Sequence, residues 1–129
     1  MPNKPDFLLI IVHLLSKVNT RDTSQALDCP KHVARIQEAE RQVGHRRTLL
    51  IGDLNMNPFE PGVVAATGFH ATMSRRIAMQ NPRTVQGDIF HFFYNPMWSL
   101  MGNHPHMRPP GTHYYRHGET VSYLWNTFD

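Results

Sequence analysis

The stretch that most constrains the fold is a short apolar run that ends in a glycine followed by two polar residues. Residues 48–51 are apolar or β-favouring, so we expect a buried strand there. Gly52 permits a tight backbone path. Asp53 and Asn55 follow at positions i and i+2, which lie on the same side of an extended segment. The sequence therefore predicts one carboxylate and one carboxamide together at the end of a buried strand.

This strand end has two interpretations. A carboxylate oxygen is a hard ligand that suits Mg²⁺ or Mn²⁺, and a neutral amide beside it can hold a phosphate or a water without adding repulsive charge. That combination suits phosphate ester chemistry. A Gly-Asp-x-Asn sequence is equally typical of an Asx-stabilised turn with no ligand. The residues alone leave both interpretations open.

A second apolar run precedes this one in the chain. Residues 7–14 form a nearly continuous apolar segment, which predicts a strand buried on both faces. His13 lies at its carboxyl end, and Ser16 and Lys17 follow. A polar stretch over residues 19–27 predicts a loop. Asp28 is then expected to cap a helix that ends near Val43.

The second half of the chain predicts short elements. We expect helices over 61–67 and 73–80, an extended segment over 69–72, a turn at 86–88, a strand over 89–94 and a hairpin over 111–128. Residues 95–110 form a long loop that contains Met97, Trp98 and Met101. A loop of this length is usually functional. It is interpreted either as a wall of a substrate cleft or as a surface loop that covers a core edge.

Two groups of residues have a structural and a functional interpretation. Cys29 near a helix start could carry an activated thiol, although a buried structural cysteine is favoured because no partner motif surrounds it. Four histidines suggest a zinc site, but their spacing matches no strong zinc signature. They are His104, His106, His113 and His117.

Length, charge and the apolar run near the start limit what kind of protein this sequence encodes, and they argue against a membrane-spanning or a secreted one. The 129 residues suffice for one domain with a core. The 13 basic against 10 acidic side chains give a net charge of +3, which favours anionic partners in general. The apolar run over 7–15 is too short to span a bilayer and lacks a signal-peptide cleavage pattern, so a cytoplasmic location is expected.

Three segments resemble one known family. Residues 50–55, Leu-Ile-Gly-Asp-Leu-Asn, resemble the Gly-Asp-Phe-Asn motif of the endonuclease/exonuclease/phosphatase superfamily, with Leu54 in place of the usual aromatic residue. Residues 8–17 resemble the family strand that ends in His-Leu-x-Ser. Residues 123–129 resemble the strand that bears a late aspartate, here Asp129. The three segments follow the family order and span nearly the whole chain.

The resemblance implies an α+β fold, the DNase I-like α/β sandwich of two packed sheets flanked by helices. Such a domain normally needs about 250 residues. The family's early asparagine and glutamate motifs and its closing Ser-Asp-His motif have no candidate in this sequence. Residues 1–129 are therefore expected to be a partial domain, an incomplete fragment that lacks the N-terminal and C-terminal motifs.

The resemblance also implies a metal-dependent phosphoric ester hydrolase. His13 would contact the scissile phosphate, and Asp53 would orient or deprotonate water. Asn55 would hold water or phosphate, and both Asp53 and Asn55 would lie at the Mg²⁺ or Mn²⁺ ion. Asp129 would orient the family's catalytic histidine.

The substrate implied by the resemblance is a phosphate ester, namely a nucleic acid, a phosphoinositide or a phospholipid headgroup. The residues assigned to substrate binding are Ser16, Lys17, Asn57 and Trp98. The rival hypothesis is a non-catalytic fragment that acts as an anionic-ligand binding module, and the absent glutamate and histidine motifs favour it for these residues as given.

The absent motifs also lead to a testable prediction. General acid–base assistance is worth about 10²–10⁴ in rate, and the missing glutamate removes an anchor for the metal. Residues 1–129 alone should therefore show no measurable hydrolysis of bis-p-nitrophenyl phosphate with Mg²⁺. Metal-dependent turnover that is lost in Asp53→Ala would contradict this expectation.

Overall fold

Two parallel strands form the centre of the fold. In the computed structural model, which describes residues 5–16, 22–80, 82–102, 108–114 and 125–129, β1 (Leu8–His13) pairs with β2 (Thr48–Asp53). Parallel strands need a long crossover connection, and helix α1 (Asp22–Val43) supplies it. Because the strands run in the same direction, their carboxyl ends meet at one edge.

Helix α1 begins earlier than the sequence predicts. The helix starts at Asp22, so the predicted loop over 19–27 and the predicted cap at Asp28 are wrong in the described part of the chain. Pro30 lies inside the helix, where it removes one backbone hydrogen bond. Gln25 and Cys29, one turn apart, are buried at 4% and 1% exposure. Their tertiary contacts keep the turn before Pro30 helical.

The core lies between α1, one face of the strand pair and the short helix α2 (Pro61–Val64). Gly62 in α2 is packed closely here, because a Cβ atom on it would lie 2.6 Å from sulfur atoms of Cys29 and Met56. The buried apolar residues of this core are Cys29, Ile36, Met56, Val63 and Phe69.

The other face of the strand pair is exposed, which corrects the prediction that residues 7–14 are buried on both faces. Exposure alternates along β1 and β2, because successive side chains point to opposite faces and α1 covers only one of them. Ile11 is 72% exposed, and Leu49 is 50% exposed. No described element covers this apolar face.

The remaining elements are short. Among the described residues they form three further strand pairs: β3 with β6 in parallel, β4 with β5 as an antiparallel hairpin, and β7 with β8 antiparallel. Their bounds, with the short helices, are β3 (Ala71–Thr72), α3 (Arg75–Ala78), β4 (Arg83–Val85), β5 (Asp88–Phe90), β6 (Phe93–Tyr94), a 3₁₀ helix (Pro96–Leu100), β7 (His113–Tyr114) and β8 (Trp125–Asn126).

The mixed α+β class is confirmed, and the short elements differ from their predicted lengths. The helices predicted over 61–67 and 73–80 are shorter, the strand predicted over 89–94 is split into β5 and β6, and β4 was not predicted. The turn at 86–88 is confirmed as the β4–β5 turn. The long loop 95–110 begins with the 3₁₀ helix, which Asn95 caps. The two ends of the predicted 111–128 hairpin are paired, and residues 115–124 lie outside the described residues.

None of the described helices is both long enough and apolar enough to cross a membrane. The 22-residue helix α1 has the length but is amphipathic, with one face on the core and the other in water.

Gly52 offers a test of the strand pairing. Its φ angle is +122°, and a Cβ atom would lie 2.0 Å from the Val12 carbonyl oxygen. Gly52→Ala should lower the free energy of unfolding by about 3 kcal/mol or more, because a strained backbone angle costs about 1–3 kcal/mol and the strands must also move apart. Gly87→Ala is the matched control, since its φ is +92° with open space around it. Equal losses in urea denaturation would contradict the close approach of β1 and β2.

Candidate functional site

The parallel register places two predicted site residues side by side. His13 and Asp53 are paired residues at the carboxyl ends of β1 and β2. The His13 Nε2 atom lies 3.9 Å from the Asp53 Oδ2 atom, and the two side chains are 79% and 38% exposed. An imidazole and a carboxylate therefore lie close together at a sheet edge that solutes can reach.

The segment after Asp53 forms the turn that the sequence allowed. The backbone N–H of Asn55 donates to Asp53 Oδ1 at 2.7 Å, which is an Asx turn. Asn55 has a φ angle of +51°, a conformation that asparagine tolerates better than most residues. The turn interpretation is confirmed, and the bond uses one oxygen of Asp53 while Oδ2 faces His13.

Two buried amides tie this turn to the end of β1. Asn55 is 6% exposed, and its Nδ2 donates to the Leu14 carbonyl at 3.0 Å. Gln25 Nε2 donates to the carbonyls of Asn55 at 3.1 Å and Leu15 at 2.6 Å. Gln25 was not predicted as a site residue, because it lay in a predicted loop. Its i, i+4 spacing from Cys29 was the signal that could have revealed it.

Asn57 connects the same loop to the carboxyl-terminal segment. Its Nδ2 donates to Glu60 Oε1 at 3.0 Å and to Asn126 Oδ1 at 2.9 Å, and its Oδ1 accepts from the Thr127 N–H at 2.9 Å. Asn57 is 8% exposed. Both amide protons and the amide oxygen are thus engaged inside the protein, although the sequence assigned this residue to substrate binding.

Asp129 lies beside the strand end as well. The N–H of Leu54 donates to the Phe128 carbonyl at 2.7 Å, so the carboxyl-terminal segment runs alongside the residue that follows Asp53. Asp129 itself is exposed and borders a cavity at the edge of β2. The structure therefore brings all four predicted catalytic residues, His13, Asp53, Asn55 and Asp129, to one end of the β1–β2 pair.

The remaining residues predicted to bind substrate do not lie together at one place in the described structure. Trp98 packs against Phe59 in the loop after β2, with the ring centroids 6.1 Å apart, and its Nε1 is buried without a hydrogen-bond partner in the described structure. Met97 borders the cavity at the β2 edge. Ser16 is half-buried just after β1, and Lys17 lies outside the described residues.

His70 is a buried histidine to which the sequence analysis assigned no role. It is 4% exposed, stacks on Phe92 with ring centroids 4.0 Å apart, and makes a 3.2 Å contact from Nδ1 to the His91 carbonyl. Burial lowers the pKa of His70, so the ring is held neutral and Nδ1 donates to that carbonyl. The residue therefore serves the packing behind the site.

The residues at the strand end fit only a weakly held metal ion. Among the described residues, no three His, Cys, Asp or Glu side chains lie close enough together to bind one ion. Asp53 offers one carboxylate, and Mg²⁺ in proteins often keeps several waters and only one or two carboxylates. His113 stacks on Phe128 at 5.4 Å, and the other three histidines of the alternative zinc site lie outside the described residues.

Cys29 is a structural residue. It lies inside α1, 1% exposed, and its Sγ donates to the Gln25 carbonyl at 3.3 Å. Burial, with a smaller effect from the Asp28 carboxylate, raises the pKa of the Cys29 thiol to about 11. The alternative of an activated thiol is therefore wrong, and the structural interpretation is confirmed.

Known proteins give no guide to the function of this site. No protein-family model, curated protein or solved structure matches the chain. The family resemblance therefore depends on the sequence motifs alone. Function must be inferred from the residues at the β1–β2 strand end.

Asn57 tests how far the site depends on its connecting loop. Asn57→Ala should lower the free energy of unfolding by about 1–3 kcal/mol, because the buried N–H of Thr127 loses its acceptor and the Glu60 carboxylate and the Asn126 amide oxygen each lose one hydrogen bond. Asn95→Ala is the matched control, since the Asn95 side-chain oxygen accepts the Met97 N–H in a half-buried cap. Urea denaturation of both variants measures the difference. An Asn57→Ala variant no less stable than Asn95→Ala would contradict the connecting role.

The raised pKa of Cys29 leads to a prediction that the stability of the folded protein falls as the pH rises. Its pKa is raised in the folded protein, from 9.0 to about 11, so the unfolded thiol ionises first as the pH rises. The stability that burial of the neutral thiol contributes should therefore be lost between pH 9 and pH 11. Denaturation of wild type and Cys29→Ala across this range isolates the effect. Parallel pH curves for the two proteins would contradict the raised pKa.

Proposed function

We propose that this chain carries part of the active site of a metal-dependent phosphoric ester hydrolase of the endonuclease/exonuclease/phosphatase type. The observation that supports it is the parallel register of β1 and β2, which sets His13 Nε2 3.9 Å from Asp53 Oδ2 at an accessible edge. A DNase I-like sandwich for the parent domain and a cytoplasmic location are parts of the same proposal.

His13 and Asp53 have complementary roles in this reaction. His13 donates a hydrogen bond to a phosphate oxygen, and its high exposure leaves the ring free to do so. Asp53 orients a water molecule and accepts its proton as the water oxygen bonds to phosphorus and the ester P–O bond breaks. Oδ1 of Asp53 is held by Asn55, which fixes the direction of Oδ2.

The other predicted residues support these two. Asn55 and Asn57 hold the loop by buried amide hydrogen bonds, so their contribution is to position Asp53. The exposed carboxylate of Asp129 is available to orient a histidine. Asp53 would hold Mg²⁺ or Mn²⁺, which when bound stabilises charge on the phosphoryl oxygens and the leaving group.

The substrate class is a phosphate ester, whether in a nucleic acid, a phosphoinositide or a phospholipid headgroup. The net charge of +3 suits all three because each is anionic. A second function, an anionic-ligand binding module without catalysis, is favoured by one specific observation. The amides of Asn55 and Asn57 are engaged inside the protein, which leaves His13 and Asp53 as the accessible polar pair.

Binding at the strand end tests both functions. The ¹⁵N-labelled chain is titrated with inorganic phosphate and then with MnCl₂ while amide signals are followed. Phosphate should shift the amide signals around His13. Mn²⁺ should broaden the amide signals around Asp53, and the Asp53→Ala substitution should abolish that broadening. Asp28→Ala is the matched control, since Asp28 is an acidic residue on α1 paired with Lys31. Broadening confined to the histidines of the 104–117 segment would contradict the site.

Hydrolysis separates the enzyme from the binding module. A longer protein that includes an upstream glutamate motif and a closing Ser-Asp-His motif should cleave bis-p-nitrophenyl phosphate, plasmid DNA or a phosphoinositide with Mg²⁺. In that protein His13→Ala or Asp53→Ala should lower the rate by about 10²–10⁴. An unchanged rate in Asp53→Ala would overturn the hydrolase proposal. Binding with no turnover by the longer protein would support the binding module instead.

A further inference from the structure

A cavity of about 870 Å³ lies beside β2 and is large enough for a small organic molecule. Sites for such ligands usually measure roughly 300–1,000 Å³, and most of their lining is apolar with a few polar groups. The lining comes from α1, from β2 and from residues between 63 and 97, with Asp129 at the carboxyl end of the chain. Neither His13 nor Asp53 belongs to it, so a ligand in this cavity would not occupy the His13–Asp53 pair.

The inner side of the cavity is apolar and rich in aromatic rings. Ile36, Val63 and Phe69 close it, and they are 4%, 1% and 2% exposed. Half-buried Phe92 and Phe93 also line it. Aromatic rings gain additional stabilisation when they pack offset or edge-to-face against another ring. A planar aromatic body therefore suits this side of the cavity.

One of the two arginines in the lining is already neutralised. Arg46 Nε donates to Glu40 Oε2 at 3.3 Å, and Thr48 Oγ1 donates to Glu40 Oε1 at 2.5 Å. Glu40 is 8% exposed, so this carboxylate is buried with both of its oxygen atoms engaged. The charges of Arg46 and Glu40 thus cancel each other, and neither is available to a charged ligand.

The other arginine, Arg75, has no carboxylate partner. No ion pair among the described residues includes it. The remaining carboxylate of the lining, Asp129, follows Phe128, whose carbonyl accepts from the N–H of Leu54 just after β2. Arg75 is exposed and also lines the cavity, so an unpaired positive charge lies where the cavity meets solvent.

Tyr94 orients the guanidinium group of Arg75. The Arg75 Cζ atom lies 5.3 Å from the centroid of the Tyr94 ring, which is a cation–π contact. A guanidinium group that contacts a ring through its face keeps its N–H groups free at its edge, and this fork of donors matches the two oxygens of a carboxylate. Arg75 is therefore held in a form that can bind a carboxylate through two hydrogen bonds.

We propose that this cavity binds a small aromatic carboxylate, with its ring system against Phe69 and Phe93 and its carboxylate on Arg75. A single unpaired cation suits a single negative charge. A phosphate dianion would need a second free cation, and Arg46 is engaged by Glu40. The site is independent of the proposed hydrolase activity, because it uses neither His13 nor Asp53.

The probe is 2-naphthoate, titrated into the ¹⁵N-labelled full chain while amide signals are followed. Signals of Phe69, Phe93 and Tyr94 should shift in a saturable way, and those around His13 should not. The neutral 2-naphthamide has the same rings without the charge, so it should bind about tenfold more weakly. No saturable binding, shifts centred on His13, or equal affinities for the acid and the amide would overturn the proposal.

Octanoate tests the aromatic part of the assignment. It has the same carboxylate on a flexible alkyl chain, which cannot stack on the rings and loses more conformational freedom when it binds. It should therefore bind more weakly than 2-naphthoate. Octanoate binding as tight as that of 2-naphthoate would overturn the choice of an aromatic ligand.

Two neighbouring arginines of α3 provide a matched pair of variants for the charge. Arg75→Gln should lower the affinity for 2-naphthoate by about tenfold and leave that for 2-naphthamide unchanged, because only the carboxylate uses the guanidinium group. Arg76 is also exposed but does not line the cavity, so Arg76→Gln should leave both affinities unchanged. Equal losses in the two variants would indicate a general effect of positive charge and would overturn the role of Arg75.

A second pair of variants tests whether the ligand lies inside the cavity. Ala66 lines the cavity, so Ala66→Leu should weaken 2-naphthoate binding by filling part of the space. Ala34→Leu, on the exposed side of α1, should leave it intact. Circular dichroism first checks that both variants fold, and Ala78→Val, at another lining position, replaces Ala66→Leu if that variant is unfolded. Undiminished binding to a folded cavity variant would overturn the assignment.

Discussion

The in-register parallel pairing of β1 with β2 is the constraint on which the rest of the structure depends. It sets the edge at which His13 and Asp53 meet, and it decides which face of each strand packs on α1. A slip of one residue would turn every core side chain to the other face. Gly52 permits the close approach, because no side chain would fit between its Cα and the Val12 carbonyl.

Three neutral amides connect the loop after β2 to α1, to the residues that follow β1 and to the carboxyl-terminal segment. Gln25 on α1 and Asn55 bond to carbonyls at the end of β1, and Asn57 bonds to the carboxyl-terminal segment. Each of these amides is buried, where an unpaired polar group would be costly. The geometry of the site therefore depends on a polar network, whereas the accessible side chains of His13 and Asp53 make few hydrogen bonds of their own.

Apolar surface remains on two sides of the strand pair among the described residues. One is the sheet face that carries Ile11, Leu49 and Ile51, and the other is the cavity along the edge of β2. Both follow from sequence runs that are apolar at nearly every position, although α1 covers only one face.

Local sequence determined the positions of β1 and β2 and the β4–β5 turn, because apolar periodicity and turn residues act over a few positions. It allowed the Asx turn at Asp53 without choosing it over a metal site, and the α+β class was implied by the family resemblance. It could not determine where α1 begins, since Pro30 signals a helix start locally and only the contacts of Gln25 and Cys29 outweigh it. It could not assign Asn57, whose partners lie 69 and 70 residues away. Tertiary structure alone decided that His13 meets Asp53 and that one face of β1 stays exposed, because both depend on which segments pack together and not on the residues within either one.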